Sequence, residues 1–263
     1  MHGLGATHEM WGPVIPSLTA QARVVTVDLP GSGATPLGHH RATVEGIQRA
    51  LSDFLASMGA GPVVLMGSSY GGVICARQAG VEPASALGLL LSSSYLPPLY
   101  GGWRAPGVVG ALLAEQLGRA GKALRQSWLK PAVRVPPAQR ADQAERVRGE
   151  EPPPDQHRLP PPSSGASWRR GHLVAQAQSF ASLIALSLHP SSVNLLYDRI
   201  RCPVLVLHGE DDSSVPVEWA QFAQHRRPTW ELHTFPGVPH LVKLGNPEWW
   251  LRVVEEWLNR LGD

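Results

Sequence analysis

Val63-Val64-Leu65-Met66-Gly67-Ser68-Ser69-Tyr70-Gly71-Gly72 is the stretch whose reading decides the fold. Its first four residues are apolar and two are β-branched, the signature of a strand buried on both faces. G-x-S-x-G follows, then Gly72 and the helix-compatible run Val73 to Ala79. Strand, tight turn and helix in that order can lift one serine above the carboxyl end of a sheet. The small residues on either side let strand and helix approach closely enough to make the turn. Ser69 is the candidate nucleophile. The alternative for Ser68-Ser69 is a plain strand-ending turn.

A serine hydroxyl is a poor nucleophile at neutral pH and needs a base, which in turn needs an orienting acid. Candidates for both stand downstream. The strand pattern Pro203-Val204-Leu205-Val206-Leu207-His208-Gly209 runs into Glu210-Asp211-Asp212, and a last strand, Trp230 to Phe235, runs into Gly237-Val238-Pro239-His240. Upstream, Arg23 to Leu29 reads as a strand closed by the turn Pro30-Gly31-Ser32-Gly33, and Ala86 to Leu91 as another. Helical spacing covers Trp11 to Leu18, Thr43 to Met58 with Thr43 as N-cap, Val217 to His225, and Pro247 to Leu261 with Pro247 in the first turn. Strands alternating with helices predict an α/β fold: a doubly wound, mostly parallel sheet.

About a hundred residues separate the Ala86–Leu91 strand from the one at 203–209, far more than a crossover helix needs. The expected organisation is a core in two parts, 1–95 and 201–263, with a lid insertion at 96–200. Gly110 to Trp128 and His172 to Leu188 read as helices. The middle, Pro131 to Arg170, is rich in Pro, Arg, Gln and Glu and poor in large apolar residues, which predicts disorder or a mobile lid segment.

The chain of 263 residues suffices for one large domain, and its net charge of +2 with 17% charged residues implies no nucleic-acid partner. Cys75 and Cys202 lack any disulfide or zinc spacing and read as two buried thiols. His39-His40 has no carboxylate or third histidine at ligand spacing, so no metal is expected there and the pair reads as a solvated loop. No run of apolar residues reaches membrane-spanning length and no signal peptide is visible, so the expected location is the cytoplasm. Trp249, Trp250 and Trp257 read as core packing.

Five pieces in order carry a family resemblance: His2-Gly3-Leu4-Gly5, Asp28-Leu29-Pro30-Gly31-Ser32-Gly33, Gly67-Ser68-Ser69-Tyr70-Gly71-Gly72, Val206 to Asp212, and Gly237-Val238-Pro239-His240. With these the chain resembles the α/β-hydrolase fold enzymes, of the single-domain serine hydrolase or esterase type with an inserted lid. The resemblance implies Ser69 as nucleophile, Asp212 as orienting acid and His240 as general base and acid. It implies the backbone N–H groups of Leu4 and Tyr70 as the oxyanion hole. Asp211 and Glu210 stand as alternative acids, His240 as a possible surface histidine, and His2 and His208 as structural hydrogen-bonders.

The implied activity is cleavage of a small-molecule ester, thioester or lactone through an acyl-enzyme, with no cofactor. Cleavage of carbon–carbon bonds and perhydrolysis use the same triad and stay open. Relatives that open epoxides or remove halides carry Asp at the position of Ser69. The family places strands before the His-Gly loop, where this chain has only Met1. The expectation is therefore a chain truncated at its start, its N-terminal strands missing and its oxyanion loop untethered. A non-catalytic ligand-binding member, or an inactive fragment, is the alternative function.

Overall fold

The computed structural model describes residues 1–97, 166–189, 191–240 and 242–262. Four strands form one parallel sheet in the order β1 (Val63–Ser68), β2 (Ala86–Ser92), β3 (Val204–Gly209), β4 (Glu231–Phe235). β3 is buried along its whole length and β2 at all but one residue, which is why both read as unbroken apolar runs. The carboxyl ends align: Ser68 pairs with Ser92, and Ser92 with Leu207. Turns leaving β1 and β3 therefore emerge on the same edge of the sheet.

Helices flank the sheet. α1 (Ile15–Thr19), α2 (Val44–Ser57) and α3 (Tyr70–Val81) precede β2. α4 (Ala166–Leu188) and α5 (Ser191–Tyr197) lie between β2 and β3, within the stretch expected to be the lid, and α6 (Val217–Arg226), α7 (Val242–Gly245) and α8 (Pro247–Gly262) complete the order. On one face Leu90, Leu205 and Leu207 meet Trp11, Val14 and Leu18 from the N-terminal region and Trp250, Val253, Val254 and Trp257 of α8. Trp250 and Trp257 are thus core residues, while Trp249 is partly buried against Phe235, ring centroids 4.8 Å apart. α3 packs on β1 and β2, its Val73, Ile74, Cys75, Ala76 and Ala79 fully buried. Thr43 caps α2 as expected, its Oγ1 accepting from the Gly46 amide at 3.1 Å.

Four expectations need correction. Arg23 to Leu29 forms no strand. A strand exists only where a neighbour offers a ladder. β1 pairs with β2 on one side, and on the other it meets Met1, whose nitrogen donates to Met66 O at 2.6 Å and whose carbonyl accepts from Ser68 N at 3.1 Å. The 23–29 segment is held instead by side chains: Leu29 N donates to His2 Nε2, and Asp28 accepts from His8. Those same bonds tether the His2-Gly3-Leu4-Gly5 loop, which is the second correction.

The helix expected from His172 begins earlier, at Ala166, so residues 166–170 of the segment read as disordered are helical. Once a helix is nucleated, each added residue gains a hydrogen bond at little further cost. Fourth, Cys75 is buried but Cys202 is only half-buried. Burial pushes the Cys75 thiol up to about 11, against a weaker opposing pull from the N-terminal ammonium. The expected helix at Gly110 to Trp128 and the rest of the 131–170 segment lie outside the described residues. None of the described helices is long and apolar enough to cross a membrane.

The β1–α3 turn rests on close backbone approach. A Cβ on Gly67 would stand 2.5 Å from both Gly71 O and Gly72 Cα. Gly67→Ala is therefore expected to lower stability by about 2–3 kcal/mol, the cost of overpacking against backbone that cannot swing away. Gly61→Ala, where nothing lies within 4 Å, should change it by less than about 0.5 kcal/mol. Urea denaturation of the two variants checks this, and equal midpoints would refute the close-approach reading.

Candidate active site

Ser69 stands between β1 and α3 with φ 52° and ψ −116°, a left-handed backbone that a non-glycine residue rarely adopts. Such strain, on the order of 1–3 kcal/mol, persists only where the surroundings over-determine it. Here the Ser69 amide donates to Ser92 O at 3.0 Å, and Ser69 O accepts from Gly72 N at 3.0 Å. Both bonds are backbone bonds and hold the turn without using the serine's own side chain.

Asp212 sits in the loop after β3 with its side chain fully buried. Its Oδ1 accepts from the amides of Ser214 at 2.9 Å and Val215 at 2.8 Å. Its Oδ2 accepts from His240 Nδ1 at 2.7 Å and lies 3.2 Å from His208 Nε2. Burial alone would raise this carboxyl's pKa. The bonds from His208 and His240, and the Val215 amide, overcome it and hold the group well below the usual carboxylate range. Asp212 is thus an anion aimed at the histidine from the β4–α7 loop. No such pairing joins Asp211 or Glu210 to His240: Glu210 instead accepts from Thr234 Oγ1 at 2.8 Å.

An Nδ1–H given to a carboxylate leaves Nε2 of a neutral imidazole as its basic nitrogen. His240 is partly buried, with 14% of its side chain exposed. Among the described residues no hydrogen bond joins Ser69 Oγ to His240. Such bonds commonly tighten only when substrate binds.

Of the two residues expected to supply oxyanion donors, Tyr70 directly follows Ser69 and Leu4 follows Gly3, which lies beside it. Tyr70 opens α3, and helix geometry gives the first amides of a helix no acceptor within the helix. Leu4 follows Gly3, and a Cβ on Gly3 would lie 3.3 Å from Ser69 Cβ and 3.8 Å from Ser69 Oγ. Gly3, Leu4 and Tyr70 line a small cleft of about 10 Å³, partly open to solvent, together with Ile47 of α2 and Ala175, Gln176 and Ser179 of α4. Ser69 is not in its lining; the cavity starts at the serine's neighbours. α4 is docked on the start of α2: Ala42 N donates to Gln178 Oε1 at 2.8 Å and Ser179 Oγ donates to Ala42 O at 2.7 Å.

His2 is buried, and both of its ring nitrogens are bonded to backbone. Its Nε2 accepts from Leu29 N at 2.9 Å, which leaves Nδ1–H to donate to Gly3 O at 2.8 Å. Burial lowers its pKa against the pull of the Gly3 carbonyl, so it stays neutral. His208, also fully buried, donates to Val215 O at 2.9 Å and braces Asp212. Both fit the structural roles expected of them.

For His39-His40 the fold supplies a carboxylate that spacing along the chain hides. Asp53 of α2 lies 3.0 Å from His40 Nε2, and the donor atoms of the three residues fall within 4.8 Å of one another. The cluster is open to solvent, and a plain histidine–carboxylate bond explains it.

The alpha/beta hydrolase family model matches residues 1–253. This chain belongs to the alpha/beta hydrolase family. It is 35% identical over 83 residues to a pimeloyl-[acyl-carrier protein] methyl ester esterase of Legionella pneumophila (strain Paris), covering 32% of this chain and 31% of that protein. The chain thus matches about a third of that relative's length. A protein of the same name from Nitrosomonas europaea is 25% identical over 254 residues, covering 94% of this chain and 90% of its own. Among solved structures, E-2-(acetamidomethylene)succinate hydrolase superposes with a TM-score of 0.67 at 18% identity, covering 98% of this chain and 89% of its own. That last likeness concerns the fold alone.

The depressed Asp212 carboxyl makes a pH prediction. Its stabilising contribution is present above the ordinary carboxylate pKa of about 3.9 and is lost as pH falls through the lower folded value. Asp212→Asn removes it. The stability gap between wild type and variant should therefore be widest near neutrality and should narrow as pH drops below about 4. Thermal melts across that range check it; a gap that widened in acid would contradict the buried anion.

Proposed function

We propose that the chain is a serine ester hydrolase that works through an acyl-enzyme. The observation that carries this is the 2.7 Å bond from His240 Nδ1 to the buried Asp212 carboxylate, at the same sheet edge as the strained Ser69 turn.

Ser69 Oγ attacks the ester carbonyl while His240 Nε2 takes its proton. Asp212 keeps the imidazole in that tautomer and stabilises the imidazolium. The carbonyl oxygen becomes an oxyanion, met by the Leu4 and Tyr70 amides; such a donor is worth about 3 kcal/mol of barrier. Collapse breaks the ester C–O bond, and the imidazolium gives its proton to the departing alkoxide. Water then repeats the sequence: His240 takes its proton, hydroxide adds to the acyl carbon, and Ser69 Oγ leaves with the proton returned. No cofactor enters the scheme. The relatives' name points to methyl esters of carboxylic acids as the first substrates to try, and thioesters and lactones share the chemistry.

The test is labelling with a fluorophosphonate, read by intact mass and peptide mapping, beside turnover of methyl and short p-nitrophenyl esters. One adduct on Ser69 is expected, absent in Ser69→Ala and after heat denaturation. Asp212→Asn should lose roughly 10³–10⁴ in kcat, the size of effect that the wrong tautomer brings. A cooperatively melting protein that neither labels nor turns over esters would overturn the proposal in favour of a ligand-binding member of the family.

A further inference from the structure

Lys243 lies three residues after His240, in α7, and is completely buried. Its Nζ donates to Ser68 Oγ at 3.0 Å, across 175 positions of sequence. The same nitrogen stands 4.5 Å from the centre of the Trp11 ring, within cation–π range. Ser68 is the last residue of β1 and the one immediately before Ser69.

A buried amine is costly. Burial pushes Lys243 down to about 7, and among the described residues no carboxylate pairs with it. The other charged group near it is the Met1 ammonium, which is of like sign. An unbranched apolar side chain of similar length would fill the space without that cost. Fold stability therefore gives no reason for an amine here; its directional bond does.

What the bond joins is the informative part. The loop carrying His240 is seated by Val238 and Val242, both buried in the core. Apolar contacts hold a loop down but are not directional. The loop's backbone bond, from Asp211 N to Val238 O at 3.2 Å, and the tie from His240 to Asp212 are directional, but both lead to the end of β3, two strands away from the β1 end. None of these contacts sets the distance between the histidine and the serine. The Lys243–Ser68 bond does, because one partner is three residues from His240 and the other is adjacent to Ser69.

We propose that Lys243 is a positioning residue, whose bond to Ser68 Oγ sets the His240 loop against the Ser69 turn. This rests on the serine-hydrolase reading for its catalytic consequence and on geometry alone for its structural one. The variants are Lys243→Met, Ser68→Ala and the double variant, each tested as the full chain.

Three results are expected. Lys243→Met melts cooperatively and is at least as stable as wild type. The gain is largest below pH 7 and shrinks as pH rises, because the unfolded chain holds the lysine's proton up to about pH 10.4 while the folded chain releases it earlier. The Asp211 amide, whose acceptor is Val238 O in the His240 loop, exchanges hydrogen about tenfold faster than in wild type, while the amides of β2 and β3 are unchanged. Finally, kcat on a short ester and the fluorophosphonate labelling rate fall roughly 10- to 100-fold with KM unchanged, the scale of a small misplacement of a catalytic group. The double variant should lose no more than the worse single one, since both remove the same bond.

A Lys243→Met protein with wild-type exchange at the Asp211 amide and wild-type kcat would overturn the proposal. So would additive losses in the double variant. If Ser69 in wild type neither labels nor turns over, the hydrolase reading fails. The exchange arm then still decides whether Lys243 holds the loop.

Discussion

The turn at Ser69 is the constraint on which the site depends. A serine at φ 52° is unfavourable by itself, so its neighbours must hold it there. Gly67 allows strand and helix to touch, Gly71 lets the Met1–His2 backbone lie against the start of α3, and Ser92 O takes the serine's amide. Because that carbonyl belongs to the end of β2, the turn exists only once the sheet is assembled. The local sequence permits the conformation and the tertiary structure enforces it.

Two buried ionisable groups flank this turn, and they are handled in opposite ways. Asp212 is surrounded by donors: two amides and two imidazoles converge on its oxygens, and they overcome the desolvation that would otherwise neutralise it. Lys243 has one hydroxyl and one aromatic face, and desolvation dominates. The first arrangement stabilises a charge needed at neutral pH; the second leaves an amine close to its titration point. A fully solvated donor set is thus replaced for Asp212 and only partly replaced for Lys243, which explains the different directions relative to pH 7.

The His2-Gly3-Leu4-Gly5 loop shows how a short segment can be held without a full ladder. Met1 supplies one rung beside β1, His2 bridges Gly3 to Leu29, and Asp28 gathers His8 and Ala34. Side chains take over where backbone pairing is absent, and the loop carrying Leu4 stays beside Ser69. The cost falls on 23–29, which joins no strand of the sheet among the described residues.

Much of the fold was legible in the chain itself. Apolar runs marked β1, β2 and β3, alternation marked β4, Thr43 and Pro247 marked helix starts, and the order of Ser69, Asp212 and His240 marked a candidate site, because local propensity and motif spacing act over a few residues. The helix start at Ala166 and the short α5 and α7 were not marked, since packing rather than pattern determines such elements. Arg23 to Leu29 carries strand propensity, but propensity cannot say whether a partner strand lies alongside. Distances between residues far apart in the chain were hidden as well: Lys243 with Ser68 and Asp53 with His40 meet only in three dimensions. The amino-acid order determined which residue types stand at each strand end. Tertiary structure alone decided which of them are dry, charged and within bonding reach, because burial and pairing depend on segments that the chain brings together only when folded.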